Sequence, residues 1–512
     1  MKKKTDPDEK KYWRSLGERE RTAEYRKHLR NEYRENETDD IQWSRRNFLA
    51  IMGASMALAG LAGCRRPIEK IIPYVAQPEE IIPGVPEYYA TSMPFGTSVY
   101  GLIVETHEGR PTKIEGNPGH PSTLGSTDFM TQASILNLYD PDRSRAVRHK
   151  GVEKNYDDFV TFWRERHKEF AKINGAGLAV LSESFSSPTL FRLRQDLLKQ
   201  FPEVRWATYE PLSDENIFRA LKNLTGKILR PVYYFDQADI ILSIDSDFLQ
   251  FESESISTAR GFANGRRDVD RNRNMNRLYV IESSFTITGG MADHRLRMSS
   301  SRIGHFLIAL AAELAKNGVG VGDLPPVNTG EFDEEWLSAL ARDLLHHKGN
   351  GLVVAGRRQP VWVHELAMII NQALGNIGHT VFFREIRDTL LPDISELQEL
   401  VTDLDKGSID TLVIMGGNPV YNAPVDFEFQ SALEKVTHSV HFSEYFDETS
   451  QRSEWHIPRA HFLESWGDVR AADGTSGVIQ PMIEPLFGGH ADVELLSLLS
   501  TGRIMRGHDI VR

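Results

Sequence analysis

The chain has 512 residues, of which 40% are hydrophobic and 26% charged, and its formal net charge is −12 at pH 7. This length is enough for several domains with cores of their own, and the acidic balance excludes nucleic acid as a general partner because phosphates would be repelled. The single cysteine, Cys64, excludes internal disulfides, thiolate metal sites and cysteine nucleophiles elsewhere.

Residues 1–43 are dense in both signs of charge and poor in apolar residues, as in the run EKKYWRSLGERERTAEYRKHLRNEYRE. This composition favours a loosely ordered segment. Because acids are interleaved throughout, it argues against the alternative of a basic arm that binds nucleic acid. We expect residues 1–43 to be a charged n-region that stays on the cytoplasmic side.

An export signal is predicted over residues 44–64, SRRNFLAIMGASMALAGLAGC. Arg45 and Arg46 stand directly before an uncharged run, and with Phe48 and Leu49 they resemble the twin-arginine signal, which directs folded proteins for export. The run is shorter than the about 20 residues that a spanning helix needs. A short buried helix behind two solvated arginines is the alternative.

The sequence Leu61-Ala62-Gly63-Cys64 at the end of this run resembles a lipobox, at which a signal peptidase cuts before a diacylated cysteine. The resemblance implies lipidation of Cys64 and a lipid-anchored protein on the periplasmic face of the inner membrane. The alternative is a small buried cysteine, which is common in proteins.

Residues 65–89, RRPIEKIIPYVAQPEEIIPGVPEYY, are rich in proline. Proline fixes φ and removes a hydrogen-bond donor, so this segment is predicted to be an extended arm along a surface. Residues 90–150 follow as a small β unit. Its central run, SVYGLIVETHEGRPTKIEGNPGHP, predicts an antiparallel hairpin with its turn at Glu108-Gly109.

Residues 151–512 alternate apolar strand patterns with amphipathic helix patterns. The helices are predicted at 190–201, 303–317 and 364–376, and the buried strands at 177–184, 238–249, 277–283, 351–356, 379–385 and 410–419. Buried strands that alternate with helices predict an α/β fold with doubly wound parallel sheets.

Five motifs in order across residues 87–490 resemble the molybdopterin oxidoreductase superfamily. They are GLIVETHEGRPTKIEGNPGHPSTLG with LYDPDR, ADIILSIDSDFL, GGNPVYNAP, DETSQRSEWHIP and ESWGDVRAADGTSGVIQP. The resemblance implies Rossmann-like doubly wound sheets behind the small β unit. The C-terminal β-barrel that clamps the pterin dinucleotides in that family is not recognised in this sequence.

Members of this superfamily that carry a four-iron cluster hold it through cysteine thiolates. The corresponding positions of this chain fall on Met93, Gly96, Tyr100 and Asp128, and the lysine that follows the last cysteine is replaced by Met130. These side chains cannot replace thiolates as a set. We therefore expect no iron–sulfur cluster in this chain.

The molybdenum ligand of the family is a side chain at a strand end. Near the expected place this chain has Ser213 and Asp214 available, although a solvated turn is the favoured interpretation of both. A second acidic group follows a predicted strand, where α/β proteins form their sites. Without a cofactor, it is interpreted as the polar remnant of a crevice: Asp245, Asp247, Glu252 and Glu254.

The export signal, the lipobox and a molybdopterin-oxidoreductase pattern without cluster cysteines together resemble the B-subunit family of alternative complex III. The resemblance implies a scaffold without a catalytic residue, cofactor or metal of its own. Its expected partners are an iron–sulfur ferredoxin-like domain or subunit, a multihaem cytochrome c subunit and quinol-binding membrane subunits, with iron–sulfur clusters and haem c residing there. The alternatives are an active, cluster-free molybdoenzyme and a free lipoprotein that binds a small ligand.

Overall fold

The computed structural model describes residues 84–267 and 275–512, together with Ala23 and Ile82. The predicted n-region, the export signal, Cys64 and most of the proline-rich arm lie outside the described residues. The described residues from 84 onward form one compact unit.

The strands are β1 (Glu87–Phe95), β2 (Ser98–His107), β3 (Arg110–Gly116), β4 (Val147–His149), β5 (Val152–Lys154), β6 (Leu178–Ser182), β7 (Phe185–Ser186), β8 (Arg205–Thr208), β9 (Leu229–Tyr233), β10 (Ile240–Ile244), β11 (Arg277–Glu282), β12 (His294–Arg297), β13 (Gly351–Ala355), β14 (Val381–Glu385), β15 (Thr389–Leu390), β16 (Thr411–Met415), β17 (His438–Ser443), β18 (Trp455–Pro458), β19 (Gly467–Arg470) and β20 (Ser476–Ile479). The α-helices are α1 (Phe129–Leu138), α2 (Tyr156–Lys172), α3 (Pro188–Gln200), α4 (Glu215–Thr225), α5 (Ser255–Arg267), α6 (Ile287–Gly290), α7 (Ser300–Lys316), α8 (Glu334–His346), α9 (Val361–Ala373), α10 (Ile394–Asp405), α11 (Pro419–Asn422), α12 (Phe429–Leu433), α13 (Glu448–Arg452), α14 (Asp492–Thr501) and α15 (Gly507–Val511). Short 3-10 helices cover Thr329–Glu331, Val425–Phe427 and Phe462–Glu464.

The small β unit is an antiparallel sheet in the order β1-β2-β3. Its β2–β3 turn lies at Glu108 (φ 53°) and Gly109 (φ 75°), as the sequence predicts. Gly101 on β2 allows close packing, since a Cβ atom there would lie 2.1 Å from Cγ of His120. The unit starts earlier than the predicted residue 90, because β1 begins at Glu87, within the segment assigned to the arm.

A four-stranded parallel sheet, the second sheet, has the order β12-β11-β10-β13. Its central strand β10 is buried on both faces, as parallel strands between helices are. Ile240 and Leu242 pack in the core beneath α7 and α8, whereas Ile241 packs in the core beneath α4 and α5. Strands predicted at 238–249, 277–283 and 351–356 form this sheet.

A seven-stranded sheet, the large sheet, has the order β5-β4-β18-β17-β16-β6-β8. The strands from β18 to β8 are parallel, and β4 and β5 extend the sheet in antiparallel pairing. Leu178 and Val180 pack beneath α2, α3 and α14, whereas Ala179 and Leu181 pack beneath α10 and α12. Because β4 begins at Val147, this sheet takes in residues from before the predicted boundary at 151.

One of the predicted buried strands is placed differently. Residues 379–385 contain β14, but β14 pairs antiparallel with β9 in a separate two-stranded sheet. Phe382 on β14 is 39% exposed. The apolar run therefore belongs to a partly exposed ribbon, and the prediction of a buried strand was wrong for this segment.

A buried ion pair holds the small β unit against the rest of the fold. Arg143, the last residue of the LYDPDR motif, donates to both carboxylate oxygens of Glu464, at 3.1 and 2.6 Å. Glu464 opens the ESWG motif and also accepts from the backbone N–H groups of His461 and Leu486. Two motifs far apart in sequence thus meet in one contact.

No helix within the described parts of the chain combines the length and the apolar composition that crossing a bilayer requires.

Candidate functional site

The carboxyl ends of the strands in the large sheet open into one cavity of about 400 Å³, the acidic cavity. Parallel α/β sheets form their sites at this edge. Glu183 follows β6, and Glu210 lies just after β8. Glu444 follows β17, and Arg459 follows β18. The local sequence therefore places each charge, and the order of the strands brings the charges together.

Arg459 is the central cation of the acidic cavity. Its Nη1 atom lies 2.8 Å from Oε2 of Glu183, and its Nε atom lies 3.0 Å from Oδ1 of Asp492. Burial opposes the charge, but the carboxylates of Asp492 and Glu183 raise the pKa of Arg459. The guanidinium group therefore stays protonated.

Two further carboxyl groups of the acidic cavity are shifted toward the neutral form. Burial, reinforced by the charge of Glu183, raises the pKa of Glu210 to about 7. The hydrogen bonds that Glu210 accepts from Ser184 N and Oγ, at 2.9 and 2.7 Å, act in the opposite direction and lower this pKa. Burial also raises the pKa of Glu444 to about 7, although Arg459 opposes this shift. Burial thus raises the pKa of both carboxyl groups into the neutral range.

A second cavity of about 380 Å³, the aromatic cavity, lies at the carboxyl end of the second sheet. Phe218, Phe235 and Phe248 form part of its wall, and the rings of Phe235 and Phe248 stack with centroids 4.2 Å apart. Glu252 and Glu254 also line it. Burial raises the pKa of Glu252 to about 7 and raises that of Glu254.

The acidic group after β10 divides between two roles. Glu252 and Glu254 line the aromatic cavity, as expected of a crevice remnant. Asp245 instead accepts from Ser283 N at 3.1 Å and from Gln359 Nε2 at 3.0 Å. The carboxylate of Asp247 accepts from Thr288 N and Oγ1, at 3.0 and 2.7 Å. These two aspartates hold the loops that follow the strands.

Of the two candidate molybdenum ligands, Asp214 is buried and Ser213 is half-buried. Asp214 is only 8% exposed and lines both cavities, whereas Ser213 lines the acidic cavity alone. The prediction of a solvated turn was therefore wrong for Asp214. Its burial follows from the packing of α4, which begins at Glu215, against α9.

The positions that correspond to cluster cysteines lie close together but form a packed hydrogen-bonded site. Met93 is paired with Tyr100 across β1 and β2, and Gly96 lies in the turn between these strands with φ 56°. Asp128 accepts a hydrogen bond from Tyr100 and caps α1 through Thr131 N at 2.7 Å. Hydroxyl, thioether and carboxylate groups in this arrangement do not fit an iron–sulfur cluster.

Charge and space also disagree with a pterin dinucleotide in the acidic cavity. Its diphosphates would need cationic or N–H donors. The charged side chains around the cavity are Glu183, Glu210, Asp214, Glu444, Asp468, Asp492, Arg357 and Arg459. The glycine turn after β16 is also filled, since a Cβ atom on Gly416 would lie 2.1 Å from Oε2 of Glu183. The residues present do not fit the cofactor.

The described side chains also form no compact group of metal ligands. Among the residues that the structure describes, no group of three or more His, Cys, Asp or Glu side chains is placed to hold a metal ion.

Sequence reasoning overlooked the charged residues of the large sheet. Glu183 lies inside the predicted strand segment 177–184, and Arg459 follows the WHIP end of a family-like motif. Their position directly after buried strands was the available signal. Sequence reasoning applied that signal only to the acidic group after β10: Asp245, Asp247, Glu252 and Glu254.

Comparison with known proteins agrees with this architecture. No family model matches the chain. A curated protein of Nitratidesulfovibrio vulgaris, the molybdopterin-binding-like subunit of menaquinone reductase, is 23% identical over 453 residues. The match covers 79% of this chain and 64% of that protein, so the chain spans less than two thirds of the relative's length.

The solved structure of acetylene hydratase from Pelobacter acetylenicus is similar in fold, with a TM-score of 0.60 and 11% identity. The superposition covers 80% of this chain and 69% of that structure. The chain therefore has the mixed α/β, molybdopterin-oxidoreductase-like fold that its motifs predict.

Proposed function

We propose that this chain is a non-catalytic scaffold subunit of a membrane-associated quinone oxidoreductase in respiratory electron transport, in the manner of the B subunit of alternative complex III. The observation that carries the proposal is a preserved fold around an altered crevice. The Arg143–Glu464 contact joins the family-like motifs, while carboxylates occupy the edge of the large sheet, where parallel α/β sheets form their sites.

Similarity to the menaquinone reductase subunit supports the quinone-linked part of the proposal. The finer assignment to quinol oxidation follows from the resemblance to alternative complex III. In this assignment the chain docks an iron–sulfur ferredoxin-like domain or subunit, a multihaem cytochrome c and quinol-binding membrane subunits. Electrons pass through the clusters and haems of those partners. The described residues of this chain hold the partner subunits in position.

Location is the second part of the proposal. The chain is exported by the twin-arginine route through Arg45, Arg46, Phe48 and Leu49, and Cys64 anchors it by lipid to the periplasmic face of the inner membrane. Stable anchoring by this means needs two or more acyl chains, because one chain binds a bilayer only marginally.

The test of the scaffold role is purification of the intact complex from native membranes in a mild detergent. We expect the chain to elute with iron–sulfur and haem-containing subunits and with quinol oxidation activity. If the chain elutes as a monomer while the quinol oxidation activity elutes in a different fraction, the scaffold role is contradicted. That result would favour a free lipoprotein.

A cluster-free molybdoenzyme is the second candidate, and one observation favours it: Asp214 is buried beside both cavities, and its Oδ1 atom accepts no hydrogen bond from the residues that the structure describes. We expect the chain expressed alone to contain neither iron nor molybdenum at stoichiometric levels by elemental analysis. About one molybdenum per chain, lost in an Asp214→Ala variant but kept in Ser213→Ala, would establish this alternative instead.

Lipidation of Cys64 is tested by intact mass of the protein purified from membranes. We expect a mature chain that begins at Cys64 and carries added acyl mass. In a Cys64→Ala variant neither cleavage at this point nor the added mass should occur, because the thiol is the acceptor of the lipid. A wild-type chain that still begins at Met1, or one cut elsewhere without lipid, would exclude the lipobox.

A further inference from the structure

Three large apolar side chains are exposed at the carboxyl edge of the second sheet. Phe251 follows β10 and is 61% exposed, and Phe285 follows β11 and is 75% exposed. Ile287, the first residue of α6, is 52% exposed. We call these three residues the apolar edge. Single apolar residues on a surface are common, whereas a group of large ones marks an interaction surface.

The fold brings the three residues together. β10 and β11 are adjacent parallel strands, so the loops at their carboxyl ends lie side by side. The loop after β10 is also fixed to α6, because Leu249 N donates to Thr288 Oγ1 at 3.2 Å. Phe251 lies two residues after this contact, and Ile287 lies directly beside it in the chain. The apolar edge is therefore one surface feature.

Unpaired arginines flank the apolar edge on both sides. The sheet order is β12-β11-β10-β13, so the apolar residues follow the two inner strands. Arg297 ends β12 and is paired in register with Glu282 of β11, three residues before Phe285. Arg358 lies three residues after the end of β13. Both arginine side chains are exposed and form no ion pair or hydrogen bond with a described residue.

Negative charge at this edge is used inside the fold. The carboxylates that accept from neighbouring loops or pair with arginines are Asp245, Asp247, Glu252 and Glu282. Two helices also begin at this edge, and their N-cap residues, Ser299 before α7 and Pro360 before α9, make no side-chain capping hydrogen bond. A helix N-terminus carries partial positive charge. The charge that these residues present outward is therefore positive.

We infer that the apolar edge docks a protein partner whose contact face carries apolar side chains flanked by carboxylates. Aromatic and arginine side chains are enriched in protein interfaces and in their energetic centres, and carboxylates complement Arg297 and Arg358. The inference rests on the scaffold role, because it assigns a contact face to one partner of the complex.

Two other occupants fit the apolar edge less well. A second copy of this chain would form a two-fold contact, which places the same arginines opposite each other. A bilayer surface would present anionic headgroups to a chain whose net charge is −12, so attraction at this edge would be opposed elsewhere on the chain. A protein with a local acidic rim meets neither difficulty.

The test is photocrosslinking in the complex purified from native membranes, with Phe285→p-benzoylphenylalanine in the full chain. Illumination should join the chain to a different protein subunit. Mass spectrometry of the joined peptide should find apolar residues with Asp or Glu close by. The control is Ile173→p-benzoylphenylalanine at the end of α2, where Ile173 is 49% exposed, and it should give no such product.

Charge reversal tests the chemistry of the partner. Arg297→Glu combined with Arg358→Glu should lower the crosslinked fraction about 10-fold or more, because carboxylates of the partner then meet like charges. Arg503→Glu, at an exposed arginine that follows α14, is the matched control and should leave this fraction unchanged. Thermal unfolding of each variant checks that it folds.

The outcomes separate this inference from the scaffold role. A product formed only with lipid or with a second copy of the chain would overturn the inference, as would a product that the double variant does not reduce. An intact complex without a product at Phe285 would overturn it as well and leave the scaffold role standing. Elution of the chain as a monomer would overturn both.

Discussion

Replacing Arg143 by leucine is expected to lower the free energy of unfolding by about 3–5 kcal/mol, because it leaves a buried charge without its partner. The side chains of Arg143 and Glu464 are 2% and 0% exposed. Arg143 also donates to the backbone oxygen of Leu138 at 2.9 Å, so the substitution removes a second contact at the end of α1. Equilibrium unfolding in denaturant measures the loss.

A double-mutant cycle separates the ion pair from general disturbance of the core. Arg143→Leu with Glu464→Leu should recover much of the loss, because the unpaired carboxylate is then gone. Arg452→Leu is the control, since its pair with Glu434 is exposed on both sides (50% and 52%) and should contribute less than about 1 kcal/mol. If Arg143→Leu costs no more than Arg452→Leu, the buried pair does not stabilise the fold.

Glu444→Gln is expected to stabilise the protein at pH 8 and to have little effect at pH 5. Burial raises the pKa of Glu444 from its ordinary value to about 7. The folded state therefore binds this proton more tightly than the unfolded state, and ionisation above pH 7 is a cost to folding. Glutamine removes that cost, which we place at about 1–3 kcal/mol from the size of the shift.

The sign of this prediction depends on the groups that surround Glu444. The charges that act on it are those of Arg459, Arg143, Glu183 and Asp492. As pH falls from 7 to 4.5, the parent gains stability relative to the variant, so the two unfolding curves converge. The control is Glu434→Gln, an exposed carboxylate that should show no such convergence. A variant less stable than the parent at pH 8 would mean that attraction to Arg459 outweighs burial.

Much of the fold follows from local patterns in the sequence. The segments that predict β6, β10, β11, β13 and β16 are short apolar runs, and all of these strands are buried parallel strands. The turn at Glu108-Gly109 also follows from residue type, since position 109 has positive φ. For residues 379–385 the apolar pattern predicted a strand but not its burial. An apolar run does not reveal which strand it will pair with.

The candidate sites depend on contacts between distant segments. Asp214 resembles a turn residue in sequence, and only the packing of α4 against α9 makes it a buried wall of two cavities. The Asp245 and Glu254 positions lie in one loop, yet one carboxylate holds a neighbouring loop and the other faces a cavity. Side-chain direction at such strand ends is set by tertiary neighbours.

The sequence by itself determined the buried strands β6, β10, β11, β13 and β16, the alternation that makes the fold α/β, and the absence of thiolates at the cluster positions, because these depend on residue identity and on periods of a few residues. Only the tertiary structure decided that Glu183 would meet Arg459, 276 positions along the chain, at 2.8 Å. The order of strands in the large sheet brings these residues to one edge. Burial there, rather than residue type, then shifts the pKa of Glu210 and of Glu444.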